Sequence, residues 1–166
     1  LPLDEFRKVR DQIEERVKTI PGFPVRRVAE VEPRSQEQRW LVRSLWLRSA
    51  VGVIGGLPKC YKTWVAIELS WAVASGRKAL GHFDVEQQGP VLVFLAEDEP
   101  SDMRLRFDSV AKARGTDLRD LPISFIDVPT LYLDEPMQIE KLHETIDHHR
   151  PRLLVLDPFV RLVRRV

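Results

Sequence analysis

Hydrophobic positions fall into two textures along the chain. Up to residue 20 they are spaced: Leu3, Phe6, Val9, Ile13, Val17 and Ile20 recur three and four apart, with charged residues between them. That spacing predicts one amphipathic helix, ended by Pro21-Gly22, whose stripe suits a packing arm over the domain or a neighbouring subunit. Residues 23–38 contain proline and arginine without a sustained period and read as an extended linker. From Trp40 onward the apolar runs become continuous. Ala50-Val51-Gly52-Val53-Ile54 predicts a short strand feeding into Gly55-Gly56. Lys62–Ser75 is apolar almost all round and is closed by Gly76, which predicts a buried helix with a glycine C-cap.

The same alternation continues to the end. Residues 90–96 predict a strand buried on both faces. Residues 101–114 predict a helix with Ser101 as N-cap, Asp102 in its first turn and Gly115 just beyond. Residues 123–127 predict another short strand, and residues 136–150 a helix opened by proline. Residues 153–156 form a β-rich run ending in Asp157. Doubly apolar strands alternating with helices predict an α/β domain, a mostly parallel sheet flanked by helices. The expected organisation is a helix and linker over residues 1–38, followed by the α/β core over residues 39–166.

Composition removes whole classes of function. A chain of 166 residues with 43% hydrophobic and 31% charged residues is one domain able to bury a core. No apolar run reaches the roughly 18 residues of a membrane span, and the N-terminus lacks the pattern of a secretory signal. The single cysteine, Cys60, excludes a disulfide framework, so a cytoplasmic setting is the default expectation. A net charge of +1 means that any contact with nucleic acid must rest on local placement. The chain starts at Leu1 and stops nine residues after Asp157, which leads to the expectation that a C-terminal part of the fold is missing.

The chemistry concentrates in one segment, Gly56-Leu57-Pro58-Lys59-Cys60-Tyr61-Lys62-Thr63. It matches the phosphate-binding pattern G-x-x-x-x-G-K-[ST] except that Tyr61 stands at the second glycine. In such a loop successive backbone N–H groups wrap a phosphate, and the following helix adds the positive end of its dipole. Lys62 would reach the β- and γ-phosphates of ATP, and the Thr63 hydroxyl would bind Mg²⁺. Tyr61 would crowd the loop if a glycine-like conformation were needed. Cys60 reads as a small filler.

Such a site also needs carboxylates, and they stand where α/β folds place active sites, at the carboxyl ends of strands. Asp157 ends the last apolar run and is assigned to the metal shell. Glu97, followed by Asp98 and Glu99, ends residues 90–96 and is assigned as the base that activates water.

These pieces resemble the RecA-type P-loop ATPases of the RepA-like branch, which contains hexameric plasmid replicative helicases and many AAA-labelled ATPases of phages and mobile elements. The resemblance is carried by Trp40-Leu41-Val42, by the segment from Gly55 to Arg77, by the segment from Gly89 to Arg106 and by the segment from Pro151 to Leu162. It implies ATP and Mg²⁺ as ligands, with Lys62 and Thr63 at the Walker A positions, Trp64 just beyond them, Glu97 as the catalytic glutamate and Asp157 as the Walker B aspartate. It also implies a homo-oligomer, a hexameric ring, acting on DNA in replication or recombination. In this branch tyrosine before the lysine is a tolerated variant. The family's later histidine motif and arginine finger have no counterpart before Val166, which implies binding of ATP with poor hydrolysis.

Other features read as ordinary. Arg104 and Arg106, after the acidic turn, suit a solvated helix face. His143, His148 and His149 lack metal-ligand spacing and suit a helix end. Arg161, Arg164 and Arg165 are weak as phosphate contacts, and Trp40, Trp46, Trp64 and Trp71 suit the core. Two function classes therefore remain open: a motor ATPase, and a nucleotide-binding assembly or regulatory module with little turnover. A small-molecule kinase fits less well, since no arginine-rich lid is evident.

Overall fold

A computed structural model describes residues 25–32 and 39–164. The chain divides into two compact units, Leu1–Ser35 and Gln36–Val166. The amphipathic helix expected before Pro21 lies outside the described residues, as does Arg165. In the first unit, residues 25–32 are exposed and extended around one 3-10 turn, Val28–Glu30.

The second unit is built on β3 (Val91–Leu95), whose five residues are all buried. It lies between β4 (Ile123–Phe125) and β5 (Leu153–Asp157), parallel to both, in the order β4-β3-β5. The central position explains its unbroken apolar run, because a strand alternates its side chains between two covered faces. Val91, Val93 and Leu95 join one core with Ile67, Trp71 and Val73 of α1 (Lys62–Ser75) and Met103 and Phe107 of α2 (Pro100–Ala113). Phe94 points the other way, into a second core with Leu142 of α3 (Pro136–His149), Leu131 and Leu162. β5 divides likewise, with Leu153 and Val155 against the first core and Leu154 and Leu156 against the second. This is an α/β fold of the RecA-like P-loop type, with α1 and α2 on one face of a parallel sheet and α3 on the other.

Helix ends follow local chemistry. α1 stops where Gly76 turns left-handed at φ +70 and donates its N–H to the Ala72 carbonyl. A Cβ there would also press on the end of the Gln88 side chain at 2.9 Å, a flexible neighbour, so the left-handed φ is what calls for glycine. α2 begins one residue earlier than the sequence suggests. Pro100 occupies its first turn and Glu99 the cap, so Ser101 is not the N-cap.

One expected strand does not form. Residues 51–56 take no regular structure, and Val51 is fully exposed. A strand exists through its ladder of hydrogen bonds, and this run has no partner strand among the described residues. It is held from the side instead, by a hairpin that the pattern did not announce. In that hairpin β1 (Trp40–Val42) pairs antiparallel with β2 (Trp46–Leu47), and the Trp46 ring lies so close to Gly52 that a Cβ would meet it at 2.5 Å.

Candidate functional site

The loop of residues 56–61 turns on two left-handed residues, Lys59 at φ +62 and Tyr61 at φ +61. Tyr61 thus adopts the conformation in which glycine would be unstrained, at an expected cost of about 1–2 kcal/mol for an L-residue. Crowding is avoided because its ring points outward, 73% exposed. The Tyr61 carbonyl accepts the Val65 N–H at 3.1 Å, and α1 starts from there. No side chain caps this helix end and no acidic residue lies in its first turn, which leaves its first N–H groups and the positive end of its dipole without a side-chain partner. Gly56 is fixed by closeness, since a Cβ on it would lie 2.6 Å from the Cys60 sulfur.

Lys62 folds back across this loop. Its Nζ donates to the Gly56 carbonyl at 3.2 Å and the Leu57 carbonyl at 2.8 Å, with Cys60 Sγ at 3.8 Å. The ammonium therefore sits inside the turn formed by Gly56, Leu57, Pro58, Lys59 and Cys60. One residue on, the Thr63 hydroxyl donates to Asp157 Oδ2 at 2.5 Å across 94 positions of sequence. Register explains the meeting. Asp157 is the last residue of β5, opposite Leu95, and its carbonyl accepts the Ala96 N–H at 2.8 Å. The acidic turn therefore begins at the level where Asp157 meets Thr63.

Within that turn the carboxylates differ. Glu97 is exposed and pairs with Arg161 Nε at 3.4 Å, a contact between two solvated side chains that carries little stability. Asp98 turns inward. Its side chain is only 10% exposed, and Arg106 Nη1 lies 3.0 Å from Oδ2, off the axis for a hydrogen bond. Burial raises the Asp98 pKa above the usual carboxylate range. Arg106 opposes that shift, and Asp157, Asp102 and Glu97 add to it.

The structure thus joins the two ends of the sequence-derived site, Thr63 and Asp157, directly, and the β3–β5 register puts Glu97 two residues beyond Leu95, the partner of Asp157. It also corrects the sequence reading. The strand–loop–helix setting is a loop–helix setting, because the first strand is absent. Arg106, still over one-third exposed, is more than a solvated cation, since it pairs with Asp98 and lies 6.0 Å from the Trp64 ring. Arg104 is exposed as expected, and so are His143, His148 and His149. The expectation that all four tryptophans lie in the core holds only for Trp71, which is buried; Trp40 and Trp46 are half-buried, and Trp64 is 38% exposed beside the loop because α1 presents its first turn to solvent. Arg164 pairs with Glu135 and stacks on Tyr132. The inward turn of Asp98 carried no signal in a run of three acids. That of Arg106 was legible only as a cation eight positions after Asp98.

Among the described residues no three His, Cys, Asp or Glu side chains gather to hold a metal ion. The donors at hand, one hydroxyl and one carboxylate, suit a hard cation such as Mg²⁺, which takes one or two protein oxygens and completes its shell with water and phosphate. No helix among the described residues is long and apolar enough to cross a membrane. No curated protein and no solved structure gives a significant match to the chain. A family profile does match, over residues 14–165, and it spans the loop, the acidic turn and Asp157 alike. With a match over residues 14–165, the chain belongs to the AAA domain family, as a nucleotide-binding ATPase domain of the P-loop type.

Proposed function

We propose that the domain binds and hydrolyses ATP in a Mg²⁺-dependent reaction. The observation that carries this reading is the Thr63–Asp157 hydrogen bond beside the loop that holds Lys62. On ATP binding, Lys62 would exchange its two carbonyl contacts for phosphate oxygens and neutralise their charge. The N–H groups of the loop and of the first turn of α1 would contact the phosphates, aided by the uncapped helix end. Thr63 and Asp157 would hold Mg²⁺, which supplies charge neutralisation to the phosphates when bound. Glu97, exposed and at the level of Asp157, would accept a proton from the attacking water, so that water oxygen bonds to the γ-phosphorus as the bond to ADP breaks.

The resemblance to the RepA-like branch supports a finer reading: a cytoplasmic homo-oligomer, a hexameric ring, that acts as a helicase-like motor on DNA. Fold and loop do not name the cargo. The test is phosphate release with and without single-stranded DNA, with EDTA as the metal control. Turnover that EDTA abolishes and DNA raises by about fivefold or more, a coupling of roughly 1 kcal/mol, is the expected result. Turnover indifferent to DNA overturns the motor assignment and leaves the ATPase. The second reading, an assembly module without turnover, is favoured by the pairing of Glu97 with Arg161, which occupies the proposed base. Binding of Mg²⁺–ATP with no phosphate release would decide for it.

A further inference from the structure

The first turn of α1 is tied to two strand ends. One tie is the Thr63–Asp157 hydrogen bond. The other runs through Arg106, in the second turn of α2. Its guanidinium carbon lies 6.0 Å from the Trp64 ring, at the outer reach of a cation–π contact, and its Nη1 is 3.0 Å from Asp98 Oδ2. Asp98 follows Glu97 directly. Trp64 follows Thr63 directly. A single arginine therefore spans from the residue after the threonine to the residue after the glutamate.

We infer that Arg106 is a positioning residue, which sets the acidic turn against the phosphate loop so that Glu97 faces the γ-phosphate end of the site. This rests on the ATPase reading above. Three observations favour it over a merely solvated salt bridge. The Asp98 side chain is nine-tenths buried, and its inaccessible Oδ2 makes no hydrogen bond, so the Arg106 cation 3.0 Å away is what compensates its charge. The charges of Asp157, Asp102 and Glu97 act on it with the same sign as its own, so Arg106, the cation paired with it, makes this packing tolerable. Among the described residues the Glu97 side chain pairs with Arg161 alone, in an exposed contact, so its placement follows the backbone of the turn that carries Asp98. Arginine suits the task because its planar fork can pair with a carboxylate while its face stacks on an indole, which lysine cannot do.

The experiment compares Arg106→Ala, Arg106→Lys, Asp98→Asn and the Asp98→Asn/Arg106→Ala pair in the full chain. Loss of Arg106 should lower kcat about 10–100-fold through misplacement of the base, while Kd for Mg²⁺–ATP stays within about threefold. Arg106→Lys should fall between, keeping charge without the fork. The double variant should be no slower than the worse single one, as expected of groups acting as a unit. Hydrogen exchange gives a readout without turnover: Arg106→Ala should raise exchange together in residues 96–99 and 62–65 and leave β4 and α3 unchanged. Unchanged kcat, or loss of protection spread evenly over α1 and α2, would overturn the inference. A wild-type chain that hydrolyses ATP while Arg106→Ala matches it removes this inference alone. A wild-type chain that hydrolyses no ATP removes the reading beneath it as well.

Discussion

Glu97→Gln should bind Mg²⁺–ATP within about threefold of the wild-type affinity and hydrolyse it about 10²–10⁴-fold more slowly, the range for removal of a general base. The amide keeps the shape of the side chain and a hydrogen bond for water but cannot take a proton. The two neighbouring carboxylates make this a discriminating test. Glu97 is exposed beyond the end of β3 and reaches solvent, whereas the Asp98 side chain is only 10% exposed and pairs with Arg106. Single-turnover phosphate release with a parallel binding titration separates the outcomes. If Glu97→Gln turns over normally while Asp98→Asn does not, the base has been assigned to the wrong carboxylate.

The largest effect on stability is expected from the pair that locks α1 to the end of α2. Glu68 is charged and buried in the middle of α1, a helix otherwise packed with apolar residues. It is satisfied from two directions: Arg114 Nη2 donates to Oε1 at 2.5 Å, and the Leu80 N–H donates to the same oxygen at 3.1 Å. Arg114 also lies over the Trp71 ring, its guanidinium carbon 5.5 Å from the centroid, and Trp71 Nε1 donates to Thr116 Oγ1 at 2.9 Å. Arg114→Ala leaves a buried carboxylate without its cation. The cost is about 2–3 kcal/mol, below the 3–5 of a wholly enclosed pair because Arg114 is one-third exposed. Thermal unfolding should show Tm lower by on the order of 10 °C. Replacing both residues by methionine should cost less than the sum of the two single changes, because no charge is left unpaired. A fall under about 3 °C in Arg114→Ala would show the pair to be dispensable.

The α/β architecture was legible because its signals are local or periodic. Lys62–Ser75 emerged with the predicted bounds, since a continuous apolar run closed by glycine admits few other structures. The runs that became β3 and β5 were recognisable for the same reason, and their parallel pairing follows from the helices between them. Val51–Ile54 failed because apolarity makes a strand possible without supplying a partner for its hydrogen bonds. The β1–β2 hairpin was missed because Trp40 to Leu47 alternates too briefly to show a period of two. In the site, Lys62, Thr63 and Asp157 could be read from spacing because backbone geometry fixes them. The opposite orientations of Glu97 and Asp98 could not, since they depend on Arg106 and Arg161, which reach the turn from elements later in the chain.

A Mg²⁺–ATP titration followed by tryptophan fluorescence decides whether the loop around Lys62 is a nucleotide phosphate site. Trp64 stands one residue past the Thr63 hydroxyl, 38% exposed, and should report occupancy of the loop. A phosphate site should give a saturable change with Kd at or below about 1 mM, an affinity of roughly 4 kcal/mol, and lose it in Lys62→Ala. An equal response in wild type and Lys62→Ala, or none in either at millimolar ATP, would contradict it.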